Sequence, residues 1–399
     1  MKKTLLQLAL IFAGLLATRP AAQGQDIKIG VEHEHGYFGM KPVPVALSGF
    51  RGQGLEVLKF DLYVQGFTFV SPDAAQYLIS GSDAGDVSGT VTDKVSQHVI
   101  LSQSYNGASQ RREAHAFADA VVQAITGKPG IAELRGGVAK IAFKAQLPGG
   151  NGEIYVADFD GSNPVAITQD RTIVAKPEWL PGRLALYYTS YKRGNPDIYF
   201  HNLTSGQWRR VSGNIACLNT SAAASPDGSR LAMVRSRAGS PNLWVGGADG
   251  AGLKQITQGL EDSSPCWSPD GQWICYATKV HERRRLARIP AGGGTPGYIS
   301  TAGAPNPSEP AWSPDGKWIA FTSQSGAGFS ICVVAADGSV PAQTLVPGEN
   351  PSWAPNSRTL IYNHGPDGRQ TLSVLDVFTK QYKDCHRASG SCSQPAWAK

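Results

Sequence analysis

Ser264-Pro265-Cys266-Trp267-Ser268-Pro269-Asp270-Gly271-Gln272-Trp273-Ile274 is answered further on by Glu309-Pro310-Ala311-Trp312-Ser313-Pro314-Asp315-Gly316-Lys317-Trp318-Ile319. Weaker copies are Ala222-Ala223-Ala224-Ser225-Pro226-Asp227-Gly228, Pro177-Glu178-Trp179 with Leu180-Pro181-Gly182, and Pro351-Ser352-Trp353 with Ala354-Pro355-Asn356. A last copy, Pro395-Ala396-Trp397, stands at the carboxyl end. With Ala223 taken as the Trp equivalent, the markers at 179, 223, 267, 312, 353 and 397 are spaced by 44, 44, 45, 41 and 44 residues. Such periods signal a repeat architecture.

Each unit reads as four short strands. A strand ending in Trp meets Ser-Pro-Asp-Gly, where Pro presets φ near −65° and Gly takes the left-handed position that closes the turn. A β-rich stretch such as Trp318-Ile319-Ala320-Phe321-Thr322 follows, then a third (Asn242-Leu243-Trp244-Val245) and a fourth (Trp208-Arg209-Arg210-Val211). Four strands in 40–45 residues is the size of a propeller blade, and the signature dipeptides of WD40 blades are missing. Five units are complete. Residues 140–168 supply strands two to four of another, and 395–397 begin a first strand with nothing after it. Joining the two ends gives six blades and leaves no long sheet edge open.

Composition agrees. Of 399 residues 46 are Gly and 26 Pro, about 18% together against roughly 12% in average proteins. Charged residues are 17%, which excludes coiled coils and helical solenoids, and 41% apolar residues exclude disorder. The formal charge is +6, about +3 without Lys2, Lys3 and Arg19, too small and scattered for nucleic acid.

Lys2 and Lys3 precede an apolar run from Leu5 to Leu16 with no acidic group before Asp26, the pattern of a secretory signal over residues 1–24. The cut is expected near Gln25, or after Ala22. No second apolar run approaches the ~20 residues of a membrane span, so the mature protein is expected to be exported and without a direct span. Residues 25–134 read as a small α/β domain and 135–399 as the propeller. In the first, Ala114, Phe117, Ala118, Val121, Val122 and Ile125 form a helical stripe within Arg111–Thr126, stopped by Gly127-Lys128-Pro129-Gly130. Val87–Thr92 and His98–Ser104 read as strands, and Gly54–Gln65 as a second helix.

Here the chain resembles the TolB family, exported two-domain propeller proteins of the Tol-Pal cell-envelope system. The resemblance rests on Arg112-Glu113-Ala114-His115-Ala116-Phe117-Ala118-Asp119 through Ile125-Thr126-Gly127, and on the blade Tyr188-Thr189-Ser190-Tyr191-Lys192-Arg193-Gly194-Asn195-Pro196-Asp197-Ile198-Tyr199. It implies a periplasmic, non-enzymatic scaffold without cofactor. Such a scaffold binds a Pal-type peptidoglycan-associated lipoprotein at a propeller mouth and supports envelope integrity and constriction in cell division. It also implies a TolA-type inner-membrane partner reached by the mature amino terminus. The family often carries a His in the loop before the Ser225-Pro226-Asp227-Gly228 blade, and Cys217-Leu218-Asn219-Thr220-Ser221 has none.

The loops entering each Trp strand lie at the mouth opposite the Ser-Pro-Asp-Gly turns, and loops on rigid scaffolds carry binding. The expected partner-binding residues are therefore Asn219, Thr220, Ser221, Asp262, Ser263, Ser264, Ser308, Glu309, Glu349 and Asn350. Asp227, Asp270 and Asp315 are read as turn residues, not a carboxylate ring, and the Trp residues as packing between blades. His115, at the edge of the helical stripe, is read as a packing residue. Glu32-His33-Glu34-His35 offers two imidazoles where a metal needs further ligands, so no metal site is assigned. Arg283-Arg284-Arg285 reads as a solvated loop, with a partner contact as the other reading. Cys385 with Cys392 and Cys266 with Cys275 are possible disulfides in an oxidising compartment.

No nucleophile elbow, His-Glu-x-x-His or phosphate loop occurs. The rival classes are a propeller enzyme of the metal-dependent lactonase type and a glycan-binding module. The enzyme needs inward acidic or His residues at a repeated phase, and the Trp strands are read as offering none.

Overall fold

The architecture comes from a computed structural model, which describes residues 37–134, 137–146, 150–212, 217–237, 239–386 and 390–399. The expected export signal and the Glu32–His35 stretch lie outside the described residues.

The first part is a five-stranded sheet with two helices. Its elements are β1 (Val43–Ser48), α1 (Gly52–Tyr63), β2 (Phe67–Phe69), β3 (Tyr77–Ser82), β4 (Val87–Asp93), β5 (Val99–Tyr105) and α2 (Gln110–Thr126). The order is β2-β1-β3-β4-β5, with β1 parallel to β2 and β3 and the remaining pairs antiparallel. Ser109 caps α2 by accepting the Arg112 N–H at 3.4 Å, and Gly127, at φ 70°, ends it. The predicted stripe is the buried face: Ala114, Phe117, Ala118 and Val121 are fully enclosed with Val57, Leu58 and Leu62 of α1.

The second part is a six-bladed propeller, each blade a four-stranded antiparallel sheet. The innermost strands, taken around the ring, are Ser391–Trp397, Val174–Trp179, Leu218–Ala224, Ser263–Trp267, Pro307–Trp312 and Glu349–Trp353. In blade one the Ser391–Trp397 strand, from the end of the chain, lies against Lys140–Gln146, with Ser391 opposite Gln146 and Trp397 opposite Ile141. One alignment needs correction. Ala224 stands opposite Leu231 as Trp267 stands opposite Ile274, so Ala224, not Ala223, is the Trp equivalent.

The turn chemistry is as read. Asp270 accepts the Gln272 N–H at 3.0 Å and Asp315 the Lys317 N–H at 3.1 Å. Hydrogen bonds from Ser225 and Ser229 draw the Asp227 carboxyl down to about 2. The Trp residues pack between blades. The indole N–H groups of Trp179, Trp267 and Trp353 donate to Ala396, Ala223 and Ala311 carbonyls of the preceding blade's inner strand, at 2.9–3.0 Å. Trp312 turns instead to the Gly316 carbonyl of its own turn, at 3.0 Å.

The two parts share a core. Phe60 and Val64 lie with Phe143, Phe159, Val374 and Trp397 of the propeller. Behind them His115 is more than a packing residue. It is fully buried, its Nδ1 is 2.6 Å from Asp61 Oδ2, and its ring meets Phe159 edge-on at 5.4 Å. Arg111, one turn earlier, pairs with Asp160 of blade one.

Candidate functional site

Three residues before the Trp position, every inner strand breaks register with its neighbour. The residues there are Lys176, Ser221, Ser264, Glu309, Asn350 and Gln394, and each has φ between 50° and 56°. A non-glycine residue in the left-handed region is strained, and such strain collects at functional sites. Neighbouring blades hold the strained backbone. Ser221 N–H donates to Thr189 Oγ1 at 3.3 Å, Asn350 N–H to Thr322 Oγ1 at 3.0 Å and Gln394 N–H to Asn363 Oδ1 at 3.0 Å. The bulge turns these six side chains toward the axis, and all six line one cavity of about 550 Å³.

The ring is the floor of that cavity. Its walls rise to the Ser-Pro-Asp-Gly end through Pro181, Pro226, Pro269, Pro314 and Pro355, and Lys399 stands at its mouth. Across the floor Lys176 Nζ reaches Glu309 Oε1 at 2.7 Å and Asn350 Oδ1 at 2.6 Å. Glu309 Oε2 also accepts from Thr322 Oγ1 at 2.9 Å and the Asn350 N–H at 3.1 Å. Burial pushes the Glu309 carboxyl up. The Lys176 charge and these hydrogen bonds outweigh it, so the carboxyl sits below the ordinary glutamate range. Glu178, also in the wall, goes the other way: burial raises its carboxyl, and the charge of Lys399 offsets only part of the rise.

The expected contact residues fall into three groups. Ser221, Ser264, Glu309 and Asn350 belong to the ring. Thr220, Ser263, Ser308 and Glu349 precede it, half-buried toward the opposite mouth, and Glu349 accepts from Asn363 at 3.1 Å and Gln370 at 2.6 Å. Asn219 and Asp262 are fully buried: Asn219 donates to Asp197 at 3.3 Å, and Asp262 accepts from Thr278 at 2.6 Å. Two ring members, Lys176 and Gln394, escaped the sequence reading, although both precede Pro-x-Trp as Ser264 and Glu309 do. The reading that Trp strands carry no inward acid at a repeated phase is corrected by Glu309. Strand alternation assigns faces by parity, and a bulge reverses parity locally.

Cys217, Cys266, Cys275, Cys332 and Cys385 are free thiols in this structure. Cys266 and Cys275 are nonetheless cross-strand partners, and Cys385 and Cys392 line one small cavity. Among the described residues no three His, Cys, Asp or Glu side chains are grouped to hold a metal, and no helix is long and apolar enough to cross a membrane.

The geometry has known counterparts. The Tol-Pal system protein TolB of Anaeromyxobacter dehalogenans is 28% identical over 307 residues, 65% of this chain and 67% of that protein. The TolB of Desulfosudis oleivorans is 36% identical over 140 residues, 33% of this chain and 31% of that protein. The crystal structure of TolB from Acinetobacter baumannii superposes with a TM-score of 0.80 at 21% identity, covering 91% of this chain and 98% of that one. The sequence model of the TolB beta propeller domain matches residues 122–399. Two parts in this order, six blades, and a family match over well more than half the residues lead to one conclusion: the chain belongs to the TolB β-propeller family.

Proposed function

We propose that this chain is a periplasmic, non-enzymatic scaffold of a Tol-Pal-type system. In this reading it binds a Pal-type peptidoglycan-associated lipoprotein at the propeller mouth opposite the Ser-Pro-Asp-Gly turns, in support of envelope integrity and constriction during division. Its mature amino terminus serves a TolA-type partner. The observation that carries the reading is the family match over the whole propeller. The channel floor supports it, because Lys176, Glu309 and Asn350 satisfy one another on the axis. Of the expected contact residues, Thr220, Ser263 and Ser308 are the ones to test: they are half-buried loop-side groups, outside the enclosed network that holds Asn219 and Asp262.

The test is affinity purification of the tagged protein from its native envelope, with Thr220→Glu and Ser308→Glu variants alongside. The reading expects a peptidoglycan-associated lipoprotein with the unaltered protein and its loss with the variants. Recovery of no such lipoprotein with the unaltered protein overturns it. A metal assay and a lactonase assay on the same preparation test the enzymatic rival.

A further inference from the structure

We propose that this same mouth docks an acidic protein surface, through arginines carried on blades two to four. The inference rests on the partner-binding reading above and adds the chemistry of the partner. In each blade the hairpin between the second and third strands ends at this mouth, beside the loops that enter the Trp strands. Blade two brings Arg193 on its hairpin and Arg171 on its entry loop. Blade three brings Arg235, in the last part of the strand Arg230–Arg237. Blade four brings Arg283, Arg284 and Arg285, at the start of Arg283–Pro290. All but Arg235 are exposed, and Arg235 is half-buried.

None of these six arginines makes an ion pair among the described residues. The acids of the same blades and face are already committed. Asp170 takes Ser190 at 2.6 Å and Lys192 at 3.2 Å, and Asp197 takes Ser212 at 2.9 Å and Arg210 at 3.3 Å. Glu153 accepts the N–H groups of Asp170 and Arg171, at 3.0 and 2.8 Å. Glu261 and Glu282 both pair with Lys279, at 3.2 and 3.0 Å, and the three groups together keep one negative charge. Lys192 is enclosed, 3.8 Å from the Tyr199 ring centroid and 4.3 Å from that of Trp208. The lysines are thus neutralised or covered, and the six arginines outnumber the acids whose charge is left over, Glu153, Asp262 and one of Glu261 and Glu282. The rim is also one-sided, since the hairpin tip of blade five, Ser325-Gly326-Ala327, has no charge.

Concentrated charge of one sign works against the fold, and no ion pair among the described residues offsets it here. A solvated face predicts flexible, interspersed charges. This rim instead places two of its guanidinium groups over aromatic rings, Arg235 over Trp244 at 5.3 Å and Arg285 over Tyr298 at 5.8 Å. A cation–π contact of this kind leaves the side chain less freedom to lose on binding. Planar forks pair bidentately with carboxylates, and Arg is enriched at protein interfaces where Lys is depleted. A protein surface bearing Asp and Glu is therefore the occupant that fits.

The experiment measures binding of three probes by the full chain at two salt concentrations. The probes are the soluble domain of the source organism's peptidoglycan-associated lipoprotein, a decaglutamate peptide, and vesicles of anionic phosphatidylglycerol. The proposal expects salt-sensitive binding of the lipoprotein domain and of decaglutamate. It expects R283Q/R284Q/R285Q to weaken both at least tenfold at an unchanged melting temperature, and Arg369→Gln on blade six to change neither. Lipoprotein binding that the triple variant alters less than twofold overturns the proposal and leaves the partner reading intact. If the lipoprotein fails to bind the unaltered chain, the partner reading falls. Decaglutamate then decides the rim alone: loss with the triple variant upholds it, and absence of binding overturns it. Binding to vesicles but not to decaglutamate overturns it in favour of a membrane surface.

Discussion

Lys176 and Glu309 come from blades two and five, diametrically opposite in the ring of six, and their side chains meet across the channel at 2.7 Å. The contact ties the ring across its centre rather than around its circumference. Blade-to-blade packing holds neighbours, and this pair links two blades that are not neighbours.

The pair is expected to contribute to stability as a unit. Glu309→Gln leaves a lysine ammonium in a partly enclosed channel and is expected to cost about 2 kcal/mol, with Lys176→Met similar. A double-variant cycle by urea unfolding should give a coupling of about 1 kcal/mol or more. The pH dependence has a definite sign. The folded carboxyl lies below its ordinary value of about 4.5, so the contribution is fully present above that value and is lost as pH falls through the folded one. The gap between the unaltered protein and E309Q should therefore close on acidification below about pH 4.5.

Trp397 is 1% exposed and packs on Phe159, with ring centroids 5.7 Å apart, in the core that blade one shares with the α/β part. Trp397→Ala is expected to cost about 3–5 kcal/mol, as large-to-small changes at enclosed aromatics do. Trp208→Ala, on an exposed outer strand, should cost far less. Comparison of the two urea midpoints checks this.

Asp61 and His115 have no exposed surface, and burial raises the Asp61 carboxyl while His115 pulls it back down. Removing the imidazole leaves the carboxyl buried without its partner. His115→Ala should cost about 3 kcal/mol, and Asp61→Asn, which keeps a polar partner without the charge, should cost less. Thermal unfolding of both variants gives the order, and the reverse order would refute the account.

Thiol labelling should follow burial. Burial raises the Cys275 and Cys385 thiols, and the thiolate is the reactive form. Cys266, half-buried beside the channel cavity, should label first, and Cys275 and Cys385 only after unfolding. Mass measurement without reductant on protein from its native compartment decides whether the Cys266–Cys275 and Cys385–Cys392 pairs are bridged.

How much was legible follows from the range of the interactions. The helix Gln110–Thr126 could be read from its stripe and its Gly127 stop because capping and amphipathic burial act within a few residues. The blade count could be read because each Ser-Pro-Asp-Gly turn is local and recurs. Of the ring, Ser221, Ser264, Glu309 and Asn350 were reached from their position before the Trp, yet their inward aim was not. A single left-handed residue reverses which face the strand presents, and nothing in Glu309-Pro310-Ala311-Trp312 announces that φ.

The amino-acid order by itself therefore determined the repeat, the turn chemistry, the count of six blades and the family resemblance, all of them sums of short-range preferences repeated in phase. Tertiary structure alone decided that Lys176 crosses to Glu309, that His115 is paired with Asp61 and not merely packed, and that acids near the arginines of blades two to four pair with other cations. Each of these joins residues far apart in the chain. Their proximity is set by closure of the ring and by docking of the helices on it, and no local pattern encodes either.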